Sequence, residues 1–292
     1  MRRTARNIAL AGYDDIFSAG QVLDGERIVE IPLTELFPPD FHPFQVNDDE
    51  SMIRLTESVK QYGVREPGLA RPRSEGGYEL LCGNCRKRAC ELAGIETMPV
   101  IIRELDDDSA VLVMVDSNLE QRERILPSEK AWAYRMMMAS LNHNGIKGES
   151  HSYEIMVERT SESKNQIFRI IRLTELIVVL ADKVDTKQLA FNAAVELSYL
   201  SVTEQSAVAE GMGAHEVKPS LSQAVRMKKL KQSDELTIEV IDEILSEEKK
   251  PPKNEQSGSM KFQEYFPPGY SPEQMEAVII ELLTNWEGRA TT

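Results

Sequence analysis

The chain has 292 residues, of which 41% are hydrophobic and 28% are charged, and its formal net charge is -14. This length and composition predict a soluble globular protein of two or three domains, because average domains are shorter than this chain. They exclude a membrane-spanning protein, since no apolar run approaches about 20 residues, and a protein that coats nucleic acid through overall positive charge.

Residues 1–25 contain Arg2, Arg3 and Arg6 among isolated apolar residues and glycines, and this mixture predicts a flexible tail. The tail lacks the apolar core and the cleavage site of a signal peptide. We therefore expect a cytoplasmic protein.

Residues 26–122 are predicted to form one compact α+β domain. An alternating apolar strand follows Arg27, a helix ends at Gly63, and two short strands flank a turn before Cys82. A second helix that ends at Gly94, another strand and a third helix with an acidic first turn complete this domain.

From residue 123 to about 248 the sequence has only helical periodicity, which predicts an all-helical domain with Pro127 in its first turn. Residues 249–262 are charged, contain Pro and Gly and lack apolar periodicity, so they are predicted to form a linker. The last segment, 263–292, encodes one amphipathic helix that starts near Ser271. Its apolar face needs a partner, because a single helix cannot bury that face alone.

The stretch from Leu81 to Gly94 places a strand, a glycine and a helix start in succession. Unpaired N–H groups at a helix start favour anions, and Arg86, Lys87 and Arg88 add positive charge within one turn. Two interpretations are open, a phosphate-type anion site and an ordinary solvated first turn. The same stretch holds all three cysteines, but their pattern lacks a fourth ligand, so we expect no zinc site.

Residues 151–176 encode a short helix, a polar turn and a second helix, which is the order of a helix-turn-helix. Ser163 is the predicted N-cap of the second helix, whereas Ser161 stands where many such turns have glycine. The side chains predicted to bind DNA from this helix are Ser163, Lys164, Asn165, Gln166, Arg169 and Arg172. An ordinary helical hairpin with a polar outer face is the other interpretation.

A basic stretch with almost no acidic residues follows at residues 218–232. Charge is therefore segregated along this acidic chain. Lys228 and Lys229 in this stretch are predicted to contact DNA phosphates.

Three short sequence boxes followed by the helix-turn-helix make the chain similar to ParB-type partition proteins over roughly residues 27–230. The boxes of that family are Pro-x-Gln-Pro-Arg, Gly-Glu-Arg-Arg-x-Arg-Ala and Glu-Asn-x-Gln-Arg. Their counterparts here are Pro43–Asn47, Gly83–Ala89 and Ser117–Arg122. The order of the boxes and the continuation ACELAGIETMPVII after the second box are the specific part of the resemblance.

In that family the boxes form a CTP site, with the arginine box on the triphosphate and the Glu-Asn pair beside a magnesium ion. The resemblance therefore implies that this chain binds CTP and magnesium, with Asn118 beside the metal. The nucleotide-binding residues that it implies are Gln45, Gly83, Asn84, Cys85, Arg86, Arg88 and Asn118.

Several positions in the boxes depart from the family pattern. Asn84 replaces the glutamate, Cys85 replaces the first arginine, Ser117 replaces the acid beside the metal, and the third box holds one extra residue. Each lost charge-assisted contact is worth about 1.5–3 kcal/mol. We therefore expect weak CTP binding and at most slow CTP hydrolysis.

The resemblance implies a site-specific DNA-binding protein for partition or maintenance of a plasmid, mobile element or chromosome, located on the nucleoid or plasmid. It implies a homodimer on a palindromic duplex, a clamp closed by CTP, and contact of the tail with a ParA-type ATPase. Two alternatives stay open. A transcriptional regulator of a mobile element would use the same fold, and Cys85-Arg86 is similar to the glycine-led box of sulfiredoxin and small serine-phosphorylating kinases.

Overall fold

The computed structural model describes residues 27–122, 125–143, 149–247, 265–267 and 269–287. The predicted tail and the predicted linker lie outside these residues. The chain divides into two compact units, residues 1–246 and 247–292. The domain boundary predicted at residue 122 falls inside the first unit and stays a prediction.

A mixed five-stranded sheet opens the first unit, with the strand order β1-β5-β3-β4-β2. The strands are β1 (Ile28–Pro32), β2 (Leu36–Phe37), β3 (Gly68–Pro72), β4 (Tyr78–Cys82) and β5 (Thr97–Ile102). The pairs β1/β5 and β3/β4 are antiparallel, and the pairs β3/β5 and β2/β4 are parallel. The hairpin predicted before Cys82 is thereby confirmed, whereas the single strand predicted after Arg27 is interrupted by a 3-10 helix at Leu33–Glu35.

Three helices cover the two faces of the sheet: α1 (Glu50–Tyr62), α2 (Asn84–Ala93) and α3 (Asp107–Gln121). Successive strand residues point to opposite faces, so each strand contributes apolar side chains to both. One face packs with α1 and α2 in a core that includes Ala70, Leu80 and Val100. The other face packs with α3 in a core that includes Leu69, Leu81 and Ile101.

The ends of these helices follow from local sequence signals. The carboxylate of Asp49 caps α1 by accepting the N–H groups of Ser51 and Met52. Gly63 and Gly94, which follow α1 and α2, have φ angles of 70° and 74°. Only glycine adopts this left-handed backbone without strain, so both predicted helix ends are confirmed.

Eight helices follow within the described part of the first unit. They are α4 (Pro127–His143), α5 (Glu149–Thr160), α6 (Lys164–Arg172), α7 (Val178–Asp185), α8 (Phe191–Leu197), α9 (Val202–Ala214), α10 (Leu221–Gln232) and α11 (Ile238–Ser246). The predicted helical region and the position of Pro127 at its start are confirmed. Its core is continuous with the α3 face of the sheet, since Leu81 and Ile101 belong to the same cluster as Tyr134 and Met156.

The second unit contains α12 (Pro272–Glu287), which starts next to the predicted Ser271. Ile280, Leu282 and Leu283 on this helix are 56%, 65% and 54% exposed. None of the helices in the described ranges has both the length and the apolar character needed to cross a membrane.

Candidate functional site

A cleft of about 840 Å³ lies beside the loop that precedes α1, between the starts of α1, α2 and α4 and the end of α3. This volume is in the range of small-molecule sites, about 300–1,000 Å³. Two of the residues predicted to bind nucleotide, Gln45 and Cys85, line the cleft. The positively charged residues in its lining are Arg54 and Arg122, which were not predicted to bind nucleotide.

Arg122 links several parts of this cleft. Its Nε donates to Asn118 Oδ1 at 3.1 Å, and one terminal nitrogen lies 3.9 Å from Cys85 Sγ. Its other terminal nitrogen lies 3.7 Å from Glu129 Oε1, and its guanidinium carbon is 5.2 Å from the centre of the Phe44 ring. Arg122 therefore places a fixed positive charge at Cys85, where the family pattern has an arginine.

Arg122 is not among the residues predicted to bind nucleotide, and the sequence indicates it only as the last residue of the third box. The extra residue in that box is the feature of the sequence that could have identified Arg122 as a residue of the cleft. It separates Asn118 from Arg122 by four positions, a spacing that puts two side chains on the same helix face. Arg122 is also the C-cap of α3, and its N–H donates to the Asn118 carbonyl.

Glu129 is a buried carboxylate that joins the first box to α4, with 4% of its surface exposed. Its Oε1 accepts the backbone N–H of Gln45 at 2.7 Å, and its Oε2 accepts that of Leu126 at 3.0 Å. These bonds cap the start of α4 and hold Gln45 at the cleft. The negative charge of Glu129 also balances that of Arg122.

The predicted arginine pair contacts protein groups outside the cleft lining. Arg86 donates to the carbonyls of Glu66 and Pro67, both at 2.6 Å, and burial lowers the pKa of its guanidinium. Arg88 donates to both carboxylate oxygens of Asp48, at 3.0 and 2.6 Å. The hydrogen bond from Arg88 lowers the pKa of Asp48, and the same bond raises that of Arg88.

Gly83 and Asn84 shape the turn from β4 into α2. Gly83 has a φ of 107°, and a Cβ there would lie 3.2 Å from the Gly68 Cα, so a side chain would be strained. The Asn84 amide donates to the Leu80 carbonyl at 3.2 Å and to His42 Nε2 at 3.3 Å. Burial lowers the pKa of His42, which suits a neutral amide at position 84 better than a carboxylate.

Two residues of the third box, Ser117 and Asn118, are not among the residues that line the cleft. Ser117 is buried and forms a 2.8 Å hydrogen bond with the thiol of Cys82, whose pKa is raised to about 11 by burial. The Asn118 amide donates to the Met114 carbonyl at 2.8 Å. In the part of the chain that the structure describes, no group of three or more His, Cys, Asp or Glu side chains is arranged to hold a metal. Magnesium at Asn118 therefore stays a prediction.

A second candidate site is the pair of helices α5 and α6, which a three-residue turn at 161–163 joins. Ser161 has a φ of 56°, the left-handed backbone that glycine usually adopts at this turn. The Ser163 hydroxyl accepts the Gln166 N–H at 3.3 Å, which confirms the predicted N-cap. Ile167 and Ile170 are buried, so the opposite face of α6 points to solvent.

The residues predicted to bind DNA from α6 divide into two groups. Ser163, Lys164 and Asn165 are exposed, whereas Gln166, Arg169 and Arg172 are half-buried. Arg169 donates to the side chain of Asn192 in α8. Arg172 donates to the carbonyl of Ser198, and its guanidinium carbon lies 4.2 Å from the centre of the Tyr199 ring.

The two predicted phosphate-binding lysines lie on α10 and differ in their surroundings. Lys228 Nζ is 2.8 Å from Glu196 Oε2 and 3.7 Å from the centre of the Tyr199 ring. Lys229 is exposed. Lys228 and Arg172 contact the same ring, which brings the basic helix α10 to the C-terminal end of α6.

Known proteins resemble this chain in sequence. Residues 18–119 match the family model of the ParB N-terminal domain. The nucleoid occlusion protein of Listeria innocua is 30% identical over 192 residues, which cover 66% of this chain and 63% of that protein. Stage 0 sporulation protein J of Bacillus subtilis is 34% identical over 154 residues, which cover 53% of this chain and 50% of that protein. The chain thus spans less than two thirds of the length of these relatives.

Two solved structures of a C-terminally truncated chromosome-partitioning protein ParB from Caulobacter crescentus are also similar. The one complexed to the centromeric parS site has a TM-score of 0.43 and 20% identity, and covers 69% of this chain and 98% of that chain. The one complexed with CTP-gamma-S has a TM-score of 0.31 and 24% identity, and covers 64% of this chain and 98% of that chain. The resemblance expected from the three boxes is confirmed: residues 18–119 of this chain are similar to the ParB N-terminal domain, and its sequence relatives include a nucleoid occlusion protein and stage 0 sporulation protein J.

Proposed function

We propose that this chain is a site-specific DNA-binding partition protein of the ParB type, which acts in segregation or maintenance of a chromosome, plasmid or mobile element. The observation that carries the proposal is the outer face of α6, where Lys164 and Asn165 are exposed directly after the cap at Ser163. The probable chromosome 1-partitioning protein ParB of Deinococcus radiodurans, which is 35% identical over 123 residues that cover 42% of each chain, supports the same function.

In the proposed complex α6 enters the major groove of a palindromic duplex. The first residues of the second helix of a helix-turn-helix contact base edges. The amides of Asn165 and Gln166 suit adenine, and the cations Lys164 and Arg169 suit guanine. Arg172, Lys228 and Lys229 lie near or beyond the end of α6 and are assigned to phosphates.

Replacing Asn165 or Gln166 by alanine is expected to weaken binding to the cognate duplex by about 1–3 kcal/mol and to leave binding to unrelated DNA unchanged. The reason is that an amide lost from a base edge removes sequence discrimination without removing charge. Fluorescence anisotropy with a duplex selected from a randomised library, beside an unrelated duplex of equal length, measures both affinities.

Lys229→Gln is the matched control, since Lys229 is exposed on α10 and carries charge without a base-reading role. This variant should weaken binding to every duplex alike. It should also reduce the slope of log affinity against log salt concentration by about one, the value expected for one lost phosphate contact. If the Asn165 and Gln166 variants behave like Lys229→Gln, another surface reads the sequence.

The second part of the proposal is that the cleft binds CTP and that the nucleotide closes two subunits into a clamp on DNA. The cleft has the volume of a small-molecule site, and Arg122 supplies positive charge at its wall. Arg86, Arg88 and Asn118 would have to leave protein partners to reach phosphates, so we expect weak binding and slow or absent hydrolysis. Asn118 is the residue proposed beside magnesium.

A homodimer is proposed through α12 of two copies. The helix carries an apolar face of Met275, Val278, Ile279, Leu282 and Leu283, on which Leu282 and Leu283 are exposed, and an amphipathic helix buries such a face against a partner. A second copy supplies a matching face by symmetry. Truncation after Lys250 is therefore expected to convert a dimer into a monomer in analytical ultracentrifugation.

Leu282→Glu and Leu283→Glu in the full chain test the same contact without removing the segment. A truncated chain that still sediments as a dimer would place the dimer interface within residues 1–250. The proposed contact of residues 1–25 with a ParA-type ATPase, and a cytoplasmic location on the nucleoid or plasmid, complete the proposal.

A further inference from the structure

One large apolar side chain stands on the polar outer face of α6. Phe168 is 45% exposed, whereas Ile167 and Ile170 of the same helix are buried in the core. Lys164 and Asn165 lie four and three positions before Phe168, so the three side chains share one face of the helix. Within the described residues nearly half of this side chain stays uncovered, and further burial of the ring requires a partner.

The charge around Phe168 indicates the chemistry of that partner. The helix reads KNQIFRIIR and contains no acidic residue. Arg169 and Arg172 contact Asn192 and Ser198, and Phe168 is exposed on the helix between them and Lys164. A positive surface with an apolar centre complements a polyanion that displays apolar groups between its charges.

We infer that Phe168 contacts the 5-methyl group of a thymine in the major groove. The inference rests on the proposed function of α6 as the DNA-reading helix. The thymine methyl is the apolar group that base edges display in this groove, and phenylalanine is among the side chains that contact it. Because Asn165 lies one turn earlier on the same face and suits adenine, each half-site is expected to contain an adenine and a thymine a short distance apart.

The experiment starts with duplexes that the full chain selects from a randomised library. Each thymine of the selected duplex is then replaced by deoxyuridine, which lacks the 5-methyl group but keeps the base pair. At one thymine in each half-site, the replacement is expected to weaken binding about fourfold, the change that corresponds to one buried methyl group.

The variant Phe168→Ala should bind the thymine and deoxyuridine duplexes equally, because the ring that contacts the methyl group is gone. Phe168→Leu keeps an apolar side chain and should retain part of the difference, and it also serves the test if the alanine variant does not fold. Discrimination by Phe168→Ala equal to that of the unmodified chain would overturn the inference, as would the absence of any deoxyuridine effect.

If the proposed DNA-binding function of α6 is wrong, the experiment gives a different result from the one expected if only the inference about Phe168 is wrong. If the full chain selects no duplex above the background of the library, α6 is not a DNA-reading helix. If it selects duplexes and the ring has no effect on them, α6 reads DNA and only the role of Phe168 is wrong.

Discussion

Asp116→Ala is expected to lower the free energy of unfolding by about 1.5–3 kcal/mol, most strongly near pH 4, because it removes a hydrogen-bond partner of the half-buried Arg159 side chain. Asp116 on α3 and Arg159 on α5 form an ion pair, and their side chains are 14% and 15% exposed. The pair connects the helix of the third box to the first helix of the proposed helix-turn-helix. Urea unfolding followed by circular dichroism measures the loss.

The matched control replaces both partners, as Asp116→Leu with Arg159→Met. The free-energy cost of desolvating two charges is about as large as the gain from their attraction. The free energy of unfolding of the apolar double variant is therefore expected to lie within about 1 kcal/mol of that of the unmodified chain. If the double variant is as unstable as Asp116→Ala, cavity formation explains the loss better than charge does.

The pH dependence of stability provides an independent check on Asp116. Burial raises its pKa to about 6, although the charge of Arg159 acts in the opposite direction. A carboxyl group whose folded pKa exceeds the unfolded value of about 4 stabilises the fold fully below pH ~4 and loses that contribution as pH rises through about 6. Asp116→Asn should remove this decline, so the stability difference between the two chains should change between about pH 4 and 6. A constant difference would contradict the raised pKa.

Helix ends in this chain are predictable because each depends on a few neighbouring residues. Asp49 and Ser163 accept backbone N–H groups two or three positions ahead. Gly63 and Gly94 supply the left-handed backbone that ends a helix. These signals are local, so they act without information about the rest of the fold.

Side-chain partners in the candidate site are less predictable because distant segments supply them. Ser117 occupies the place of an acid in the third box but faces Cys82 across the α3 side of the sheet. Arg86 points to the carbonyls of Glu66 and Pro67, which precede β3. The placement of β3 between β5 and β4 brings these groups together, and no short stretch of sequence encodes that order.

Arg122→Ala is expected to weaken CTP binding by about 1.5–3 kcal/mol, or roughly ten- to one-hundred-fold, because it removes a cation of the cleft wall that lies 3.9 Å from Cys85 Sγ. Isothermal titration calorimetry with CTP and magnesium measures the affinity. Arg54→Ala is the matched control, since Arg54 also lines the cleft but its side chain is 69% exposed beside Glu50. Screening by water should make its effect the smaller of the two. Equal losses would mean that the cleft attracts phosphate by general charge alone.

Cys85→Arg tests the same site in the opposite direction. An arginine at position 85 would stand beside Arg122, whose terminal nitrogen is 3.9 Å from the present sulfur. Without nucleotide the two guanidinium groups repel each other, so the melting temperature of the ligand-free chain should fall. With a triphosphate between them both charges are neutralised, so CTP should bind to Cys85→Arg more tightly than to the unmodified chain. The uncharged variant Cys85→Gln should show no such gain in affinity.

A reactive-thiol enzyme would instead lose all activity in both variants. No heat of binding in either the unmodified chain or Cys85→Arg would remove CTP from the proposed function and leave DNA binding by α6 to stand alone.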